Sequence, residues 1–377
     1  MERILSNEEL SAMLLGTGIL GTGGGGSPDD EGKPIFEWDS RHGRKYKLVD
    51  PAQIGDTSLV VCVGYMGSVN PASFTPIREL LPKWEKRFEL LEAVAVTEEI
   101  LREKVNLVVP FEIGGGNTPI AMSLAARSGI GIVDGDGIGR AAPELQMSSF
   151  LGHGIQMTPA VIVDMDGNAV VLQRIVKPTH VDEIGRSIVT LNGGMAAFVG
   201  FPMRGSDLKR SIVPGTISKA IAVGNALKEA RSSGRDVVKA VVNVTNGIEL
   251  LKGVVKSHEG RDENGFYRAR VTIEGKEEYS GKLMEIVFKN EAMAAFTDGK
   301  PVGIFPDLIC LLDPPTGRGL MTVDLSKGTP VAVVGIPAHQ RVREALQMQD
   351  CREAFAPARY GLPELSYVPM ETLVGKI

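Results

Sequence analysis

At 377 residues and 43% hydrophobic content, the chain can bury enough core for two domains. A net charge of −5 with the signs interspersed leaves no basic footprint for nucleic acid or an anionic membrane. No apolar run approaches the ~18 residues of a bilayer-spanning helix. Cys62, Cys310 and Cys351 lie far apart without metal-ligand spacing, which suits a reducing compartment. The opening MERILSNEEL has no charged-then-apolar leader, so a signal peptide is not expected and the predicted location is cytoplasmic.

In chain order, Ser6-x-x-Glu9 is a capping box that opens a helix with Leu10, Met13 and Leu14 on its inner face. That helix leads into a glycine-rich stretch whose core is Gly23, Gly24, Gly25 and Gly26. Four glycines in a row cost backbone entropy to order and pack no side chains. Held by flanking apolar residues, such a loop can turn its N–H groups toward an anion or carbonyl of a ligand; the alternative is a surface linker. The lysine of a phosphate-binding P-loop is absent, and the GxGxxG-like frame at Gly16 follows a helix rather than a strand.

Residues 58–64 form a buried strand ending at Tyr65-Met66-Gly67-Ser68, and residues 70–105 turn helical. The stretch 108–147 organises the rest. An apolar run ends on Glu112, breaks at Gly114-Gly115-Gly116-Asn117, continues as a helix over 118–128, and returns as a strand over 129–133 that stops at Asp134-Gly135-Asp136-Gly137. Strand, glycine turn, helix, strand is a parallel crossover unit, and ligands of such sheets sit beyond the carboxyl ends of the strands. Glu112, Asp134 and Asp136 all fall at such ends, so the three carboxylates are expected to share one crevice.

Clustered carboxylates raise one another's pKa, which equips one to donate a proton and another to accept it. The Asp-Gly pairs are also ordinary turn formers. A hard divalent cation on Asp134 and Asp136 is a further option, and no other cofactor is indicated. Pro143 suits the first turn of a following helix. Arg140 is placed to hold a carbonyl, a carboxylate or Asp134 itself, and Glu144 is either chemical or a helix-start acid.

A β-hairpin follows over 159–175, across a DMDGN turn that lacks the terminal glutamate of an EF-hand loop. Beyond it strands dominate, at 237–244, 251–255, 266–273 and 282–288, interrupted by helices at 181–191 and 217–231. The expected fold class is α/β: an N-terminal α/β domain with a largely parallel sheet over residues 1–167, then a β-rich α+β domain over 168–377. From the second domain, Asn290 and Glu291 are expected to brace the interface or close the crevice, or to form an exposed turn. No HExxH, Cys-His dyad or GxSxG elbow is present, and His153 is the histidine nearest the acidic stretch in sequence.

GTGGGGSP at 21–28, GYMGSVNP at 64–71, EIGGGN at 112–117, DGDGIGRAAPELQM at 134–147, KNEAMAAFTDG at 289–299 and PDLI at 306–309 together resemble the S-methyl-thiohydantoin desulfurase-like family. The resemblance spans nearly the whole chain. It implies an α/β domain followed by a β-rich domain. For at least some members it also implies hydrolysis of an S-methylated thiohydantoin to a hydantoin and methanethiol, and association with hydantoinases or oxoprolinases.

The expected function is therefore a hydrolase of a five-membered cyclic imide or amidine-like ring. Glu112, Asp134 and Asp136 divide the acid and base duties, and the Gly23–Gly26 and Gly114–Gly116 amides, Met66, Asn117 and Arg140 hold the ring. Metal-assisted and metal-free versions both fit these residues. On this reading Asp134→Asn abolishes turnover and leaves stability nearly unchanged. The alternative is a non-catalytic ligand-binding or accessory subunit of a hydantoinase- or oxoprolinase-type enzyme. The expected partners are a small-molecule substrate, a second copy of the chain and such an enzyme.

Overall fold

A computed structural model describes residues 2–69, 75–191 and 194–375. The end of the GYMGSVNP motif and the start of the helical pattern that follows it, at 70–74, lie outside the described residues. Two large sheets carry the architecture. The first has eight strands, and its middle is parallel: Lys47–Val49, Gly131–Val133, Leu107–Pro110 and Leu59–Gly67, in that order. Antiparallel strands flank this middle, with Arg3–Ile4 on one side and Met195–Arg204, Ala160–Asp164 and Ala169–Leu172 on the other. Val60–Val63 and Val108–Val109 are fully buried on both faces, which is why these strands read as unbroken apolar runs. The second sheet has seven strands between Ile248 and Ile336, all antiparallel. The fold class is the expected one, an α/β unit with a parallel central sheet followed by a β-rich unit.

The crossover forms as its glycines and apolar runs predict. The helix Asn117–Ser128 connects Leu107–Pro110 to Gly131–Val133 and ends on Gly129 at φ 74. The capping box also forms: the Ser6 side chain accepts from the Glu9 N–H, and Glu9 returns the bond to the Ser6 N–H.

Three local expectations change. The first helix does not stop at the glycines but runs through Gly16 and Gly18 to Leu20. A Cβ on Gly16 would lie 1.9 Å from the Ala220 carbonyl oxygen, and one on Gly224 would lie 1.8 Å from that of Ala12. These glycines serve a close crossing with the helix Thr216–Ser232, so their spacing has nothing to do with a nucleotide. Residues 237–244 form a helix, Val237–Thr245, instead of a strand. The Asp236 side chain accepts from the Val238 and Lys239 N–H groups, and buried Val237, Val238, Val241 and Thr245 repeat at helical spacing. No helix begins at Pro143; residues 140–148 are irregular and buried, with the Ala142 N–H donating to Glu112, the Leu145 N–H donating to Asp182 and the Pro143 carbonyl accepting from Arg186.

The halves are joined by polar as well as apolar contacts. Thr22 Oγ1 donates toward the Leu320 carbonyl at 3.0 Å, and Gly23 bridges to Met321. Among the described residues no helix is long and apolar enough to cross a membrane.

Candidate active site

Glu112 leaves the carboxyl end of the strand Leu107–Pro110 and is 3% exposed. Its Oε1 accepts from Asn117 Nδ2 at 2.8 Å and its Oε2 from the Ala142 N–H at 2.6 Å. Asn117, the first residue of the crossover helix, also clamps the neighbouring strand: Nδ2 donates to the Tyr65 carbonyl at 3.1 Å and Oδ1 accepts from the Tyr65 N–H at 2.8 Å. Both amide protons of Asn117 are thus spent inside the protein, so it positions Glu112 instead of holding a ligand oxygen.

The second carboxylate comes from the other sheet. Asn290 sits alone between the strands Leu283–Lys289 and Glu291–Thr297 in the left-handed region, at φ 59. Its N–H donates to the Tyr267 carbonyl at 2.7 Å, its Oδ1 accepts from the Tyr267 N–H at 2.8 Å, and its carbonyl accepts from Thr322 Oγ1 at 2.7 Å. This pinned one-residue turn points Glu291 into the cleft that Glu112 lines. Glu291 is 2% exposed, and its Oε2 is buried without a hydrogen-bond partner.

The four-glycine loop closes the cleft from the first sheet's side. A Cβ on Gly24 would lie 1.9 Å from Glu291 Oε1, so only a glycine lets this backbone rest against that carboxylate. Gly23 and Gly26 have φ values of 95 and 86, open to glycine and strained for other residues. Gly24, Gly25 and Gly26 line the cleft with Met66, whereas Gly114, Gly115 and Gly116 lie behind them. There the Gly116 N–H donates to the Gly25 carbonyl at 2.9 Å and the Gly114 N–H to Thr118 Oγ1 at 2.9 Å. The second glycine run is packing for the first, which corrects the expectation that its amides meet a ligand.

Burial and mutual repulsion set the electrostatics. Burial raises Glu112 to about 8, helped by the charge of Glu291. Burial likewise raises Glu291 to about 7, against the pull of the Arg140 guanidinium. Near neutral pH the pair holds a proton that water-exposed carboxylates would have lost.

The remaining predicted residues lie elsewhere or are committed. The Asp134 oxygens accept from the Ser218 N–H at 3.0 Å and from Ser218 Oγ, tying the strand end to the first turn of Thr216–Ser232. Asp136 is fully buried outside the cleft lining. Its Oδ1 accepts from the Ile138 N–H at 2.6 Å and the Gly139 N–H at 2.5 Å, and burial raises it to about 6. The aspartates therefore do not join Glu112 in one crevice, and turn chemistry explains their spacing. Among the described residues no three His, Cys, Asp or Glu side chains converge as metal ligands.

Arg140 holds no ligand group either. It donates to the Ala141, Asp307 and Ala292 carbonyls and lies 4.7 Å from the Phe305 ring centroid, a brace between the sheets. Glu144 lines the cleft but is no helix-start acid. Gln146 donates to it at 2.8 Å, and against the upward push of burial the paired Arg359 and Lys289, whose Nζ meets it at 2.5 Å, hold its carboxyl below the usual range. His153 caps a short helix, with Nδ1 at 2.8 Å from the Ser149 carbonyl, and does not line the cleft.

Two charged lining residues escaped the sequence reading. Glu31 is half-buried, with Oε1 accepting from the Ser27 N–H at 2.8 Å, and burial raises it to about 7. In the sequence it is the last of three acids in PDDEG, indistinguishable from a solvated helix start. Arg186 pairs with Asp182 at 3.0 Å across one turn of Thr179–Leu191, and that spacing was its only signal. The cleft has a volume of about 80 Å³, room for a small ring rather than a nucleotide.

A mixed α/β fold with a buried glutamate pair at the junction of its two sheets belongs to a recognisable group. The chain is a member of the S-Me-THD-like family: residues 8–174 match its N-terminal domain and 176–370 its C-terminal domain. Membership bears out the resemblance carried by the motifs and suggests a thiohydantoin-related role. No curated protein matches the chain. The crystal structure of a protein from Chromobacterium violaceum, a structural-genomics target, superposes with a TM-score of 0.75 over 98% of this chain and 99% of that one. At 24% identity this likeness shows the fold alone.

Proposed function

We propose that the chain hydrolyses a five-membered cyclic imide or amidine-like ring, an S-methyl thiohydantoin or a related hydantoin derivative, with Glu291 and Glu112 as its proton-transfer pair. The observation that carries this reading is the buried Glu291 Oε2, which lacks a partner and lines the same small cleft as Glu112. Glu291, the less raised of the two, accepts a proton from water as the water oxygen bonds to the ring carbon bearing the methylthio group. Glu112, raised further, donates to the ring nitrogen. The C–S bond then breaks, methanethiolate leaves and takes the proton held by Glu291, the added hydroxyl returns its proton to Glu112, and the ring carbon becomes a carbonyl. One water is consumed and one methanethiol released. Gly24 and Gly26, whose N–H groups carry no hydrogen bond among the described residues, supply backbone donors to a ring oxygen.

Purified chain offered an S-methylated thiohydantoin, with free thiol as the readout, tests the proposal. Release by the parent, and a fall of roughly 100-fold or more in kcat for Glu291→Gln with the fold retained, is the expected result. Saturable binding without thiol release would favour the accessory-subunit alternative and sink the hydrolase reading.

A further inference from the structure

The cleft has an uneven supply of hydrogen-bonding groups. Acceptors are abundant: Glu291 Oε2 is buried and unpartnered, and the less buried Glu31 has only its Oε1 engaged, by the Ser27 N–H. Glu31 Oε2 lies where a Cβ on Gly116 would approach it to 2.2 Å and one on Gly26 to 3.0 Å, so it rests against the lining Gly26 backbone and the Gly116 backbone behind it.

Cationic donors, by contrast, are already consumed. Arg186 donates through Nε to Asp182 at 3.0 Å, through one terminal nitrogen to the Gly67 and Gly265 carbonyls, and through the other to the Pro143 carbonyl. Lys289 is held by Glu144 at 2.5 Å and by the Arg359 carbonyl at 3.3 Å, and Arg359 itself pairs with Glu144. Arg140 gives three of its five N–H donors to backbone carbonyls and, like Lys289 and Arg359, does not line the cleft. A ligand carboxylate entering this space would meet carboxylates and find no uncommitted cation. The Gly24 and Gly26 N–H groups, free among the described residues, would replace only part of its hydration, with no countercharge to offset the neighbouring carboxylates.

From this inventory we infer that the cleft selects uncharged rings rich in N–H donors and rejects rings bearing a carboxylate, and that Glu31 is the residue that enforces the rejection. The inference rests on the ring-binding reading of the site but not on turnover. Glu291 receives a ring N–H through the water it activates. Glu31, the less buried of the two, faces the substituent the ring carries outward. An amide or other donor satisfies it, whereas an acid repels it. The selection is therefore by charge, with like-charge repulsion as its main element. It separates this site from one built for an oxoproline-type substrate, whose carboxylate requires a free arginine or lysine.

The test is binding by calorimetry at pH 8 of two hydantoins of nearly equal size, hydantoin-5-acetamide and hydantoin-5-acetate, to the full chain and to Glu31→Gln. The parent is expected to bind the acetamide at least about tenfold tighter, since like-charge juxtaposition costs several kcal/mol. Glu31→Gln is expected to bring the acetate within about threefold of the acetamide. Equal or tighter binding of the acetate by the parent, unchanged discrimination in Glu31→Gln, or failure of both probes to bind would each overturn the inference. The thiol-release assay is independent. A chain that discriminates as described but releases no thiol retires the hydrolase reading alone, and one that releases thiol but does not discriminate retires this inference alone.

Discussion

Replacing Gly24 by alanine isolates the geometry of the site from the stability of the fold. The added Cβ would sit 1.9 Å from Glu291 Oε1 and 2.4 Å from its Cδ, where real Cβ contacts stay beyond 3.0 Å. The carboxylate must therefore retreat by at least about 1 Å, a displacement that costs on the order of 100-fold when it moves a reacting group. Gly24 has no positive φ, so the backbone tolerates alanine, and the obstacle is a side chain that can rotate. The stability cost should stay within the ~1–3 kcal/mol of mild overpacking.

Gly16→Ala is the matched contrast. Its Cβ meets Ala220 backbone atoms at 1.9, 2.5 and 2.7 Å, which cannot rotate away, so the two helices must part at about 3 kcal/mol or more. Thiol-release kinetics beside urea unfolding read both effects. Gly24→Ala should lose roughly 100-fold in kcat with little change in unfolding midpoint, and Gly16→Ala should do the reverse. Full activity in Gly24→Ala, or unfolding as severe as that of Gly16→Ala, would refute the placement of Glu291 against the glycine loop.

Other consequences follow from the same contacts. With Glu291 near 7 and Glu112 near 8, kcat/KM should describe a narrow bell, rising as Glu291 loses its proton and falling as Glu112 loses its own; a flat profile from pH 5 to 10 would contradict the pairing. Both carboxyls have folded pKa values above the ordinary 4.5, so the stability they contribute is full below about 4.5 and lost as pH rises through 7 to 8. Glu291→Gln removes its share of that loss and should be more stable than the parent by a few kcal/mol at pH 8.5 and about equal at pH 4.5, as measured by urea titration at both values. Glu144→Gln leaves Lys289 and Arg359 without their buried partner and should cost ~3–5 kcal/mol of unfolding free energy, and a loss under 1 kcal/mol would deny the network its role. Asp134→Ala removes acceptors at the start of the helix Thr216–Ser232 and should cost ~1 kcal/mol with kcat within about twofold of the parent. Abolished turnover would restore Asp134 to the chemistry.

Local chemistry was legible in the sequence wherever the responsible atoms are neighbours along the chain. The capping box, the glycine-punctuated crossover, the hairpin read at 159–175 and the strands read at 251–255, 266–273 and 282–288 all form because period, turn residue and cap act within a few positions. Glu112 leaves a strand end and lines the cleft, and a strand end is a local fact. Its partner could not be identified that way. Asp134 and Asp136 are close to Glu112 in sequence, yet each found nearer backbone donors, in Ser218 and in Ile138 with Gly139. Glu291 meets Glu112 only because two sheets pack against each other and a pinned left-handed Asn290 turns it inward.

The glycines show the same division. Sequence marks where backbone can come close, but tertiary packing decided that Gly16 would receive a helix, Gly114 another loop and Gly24 a carboxylate. Burial, which raises the pKa values and consumes the arginines, depends on everything packed around a residue, and no window of sequence contains that.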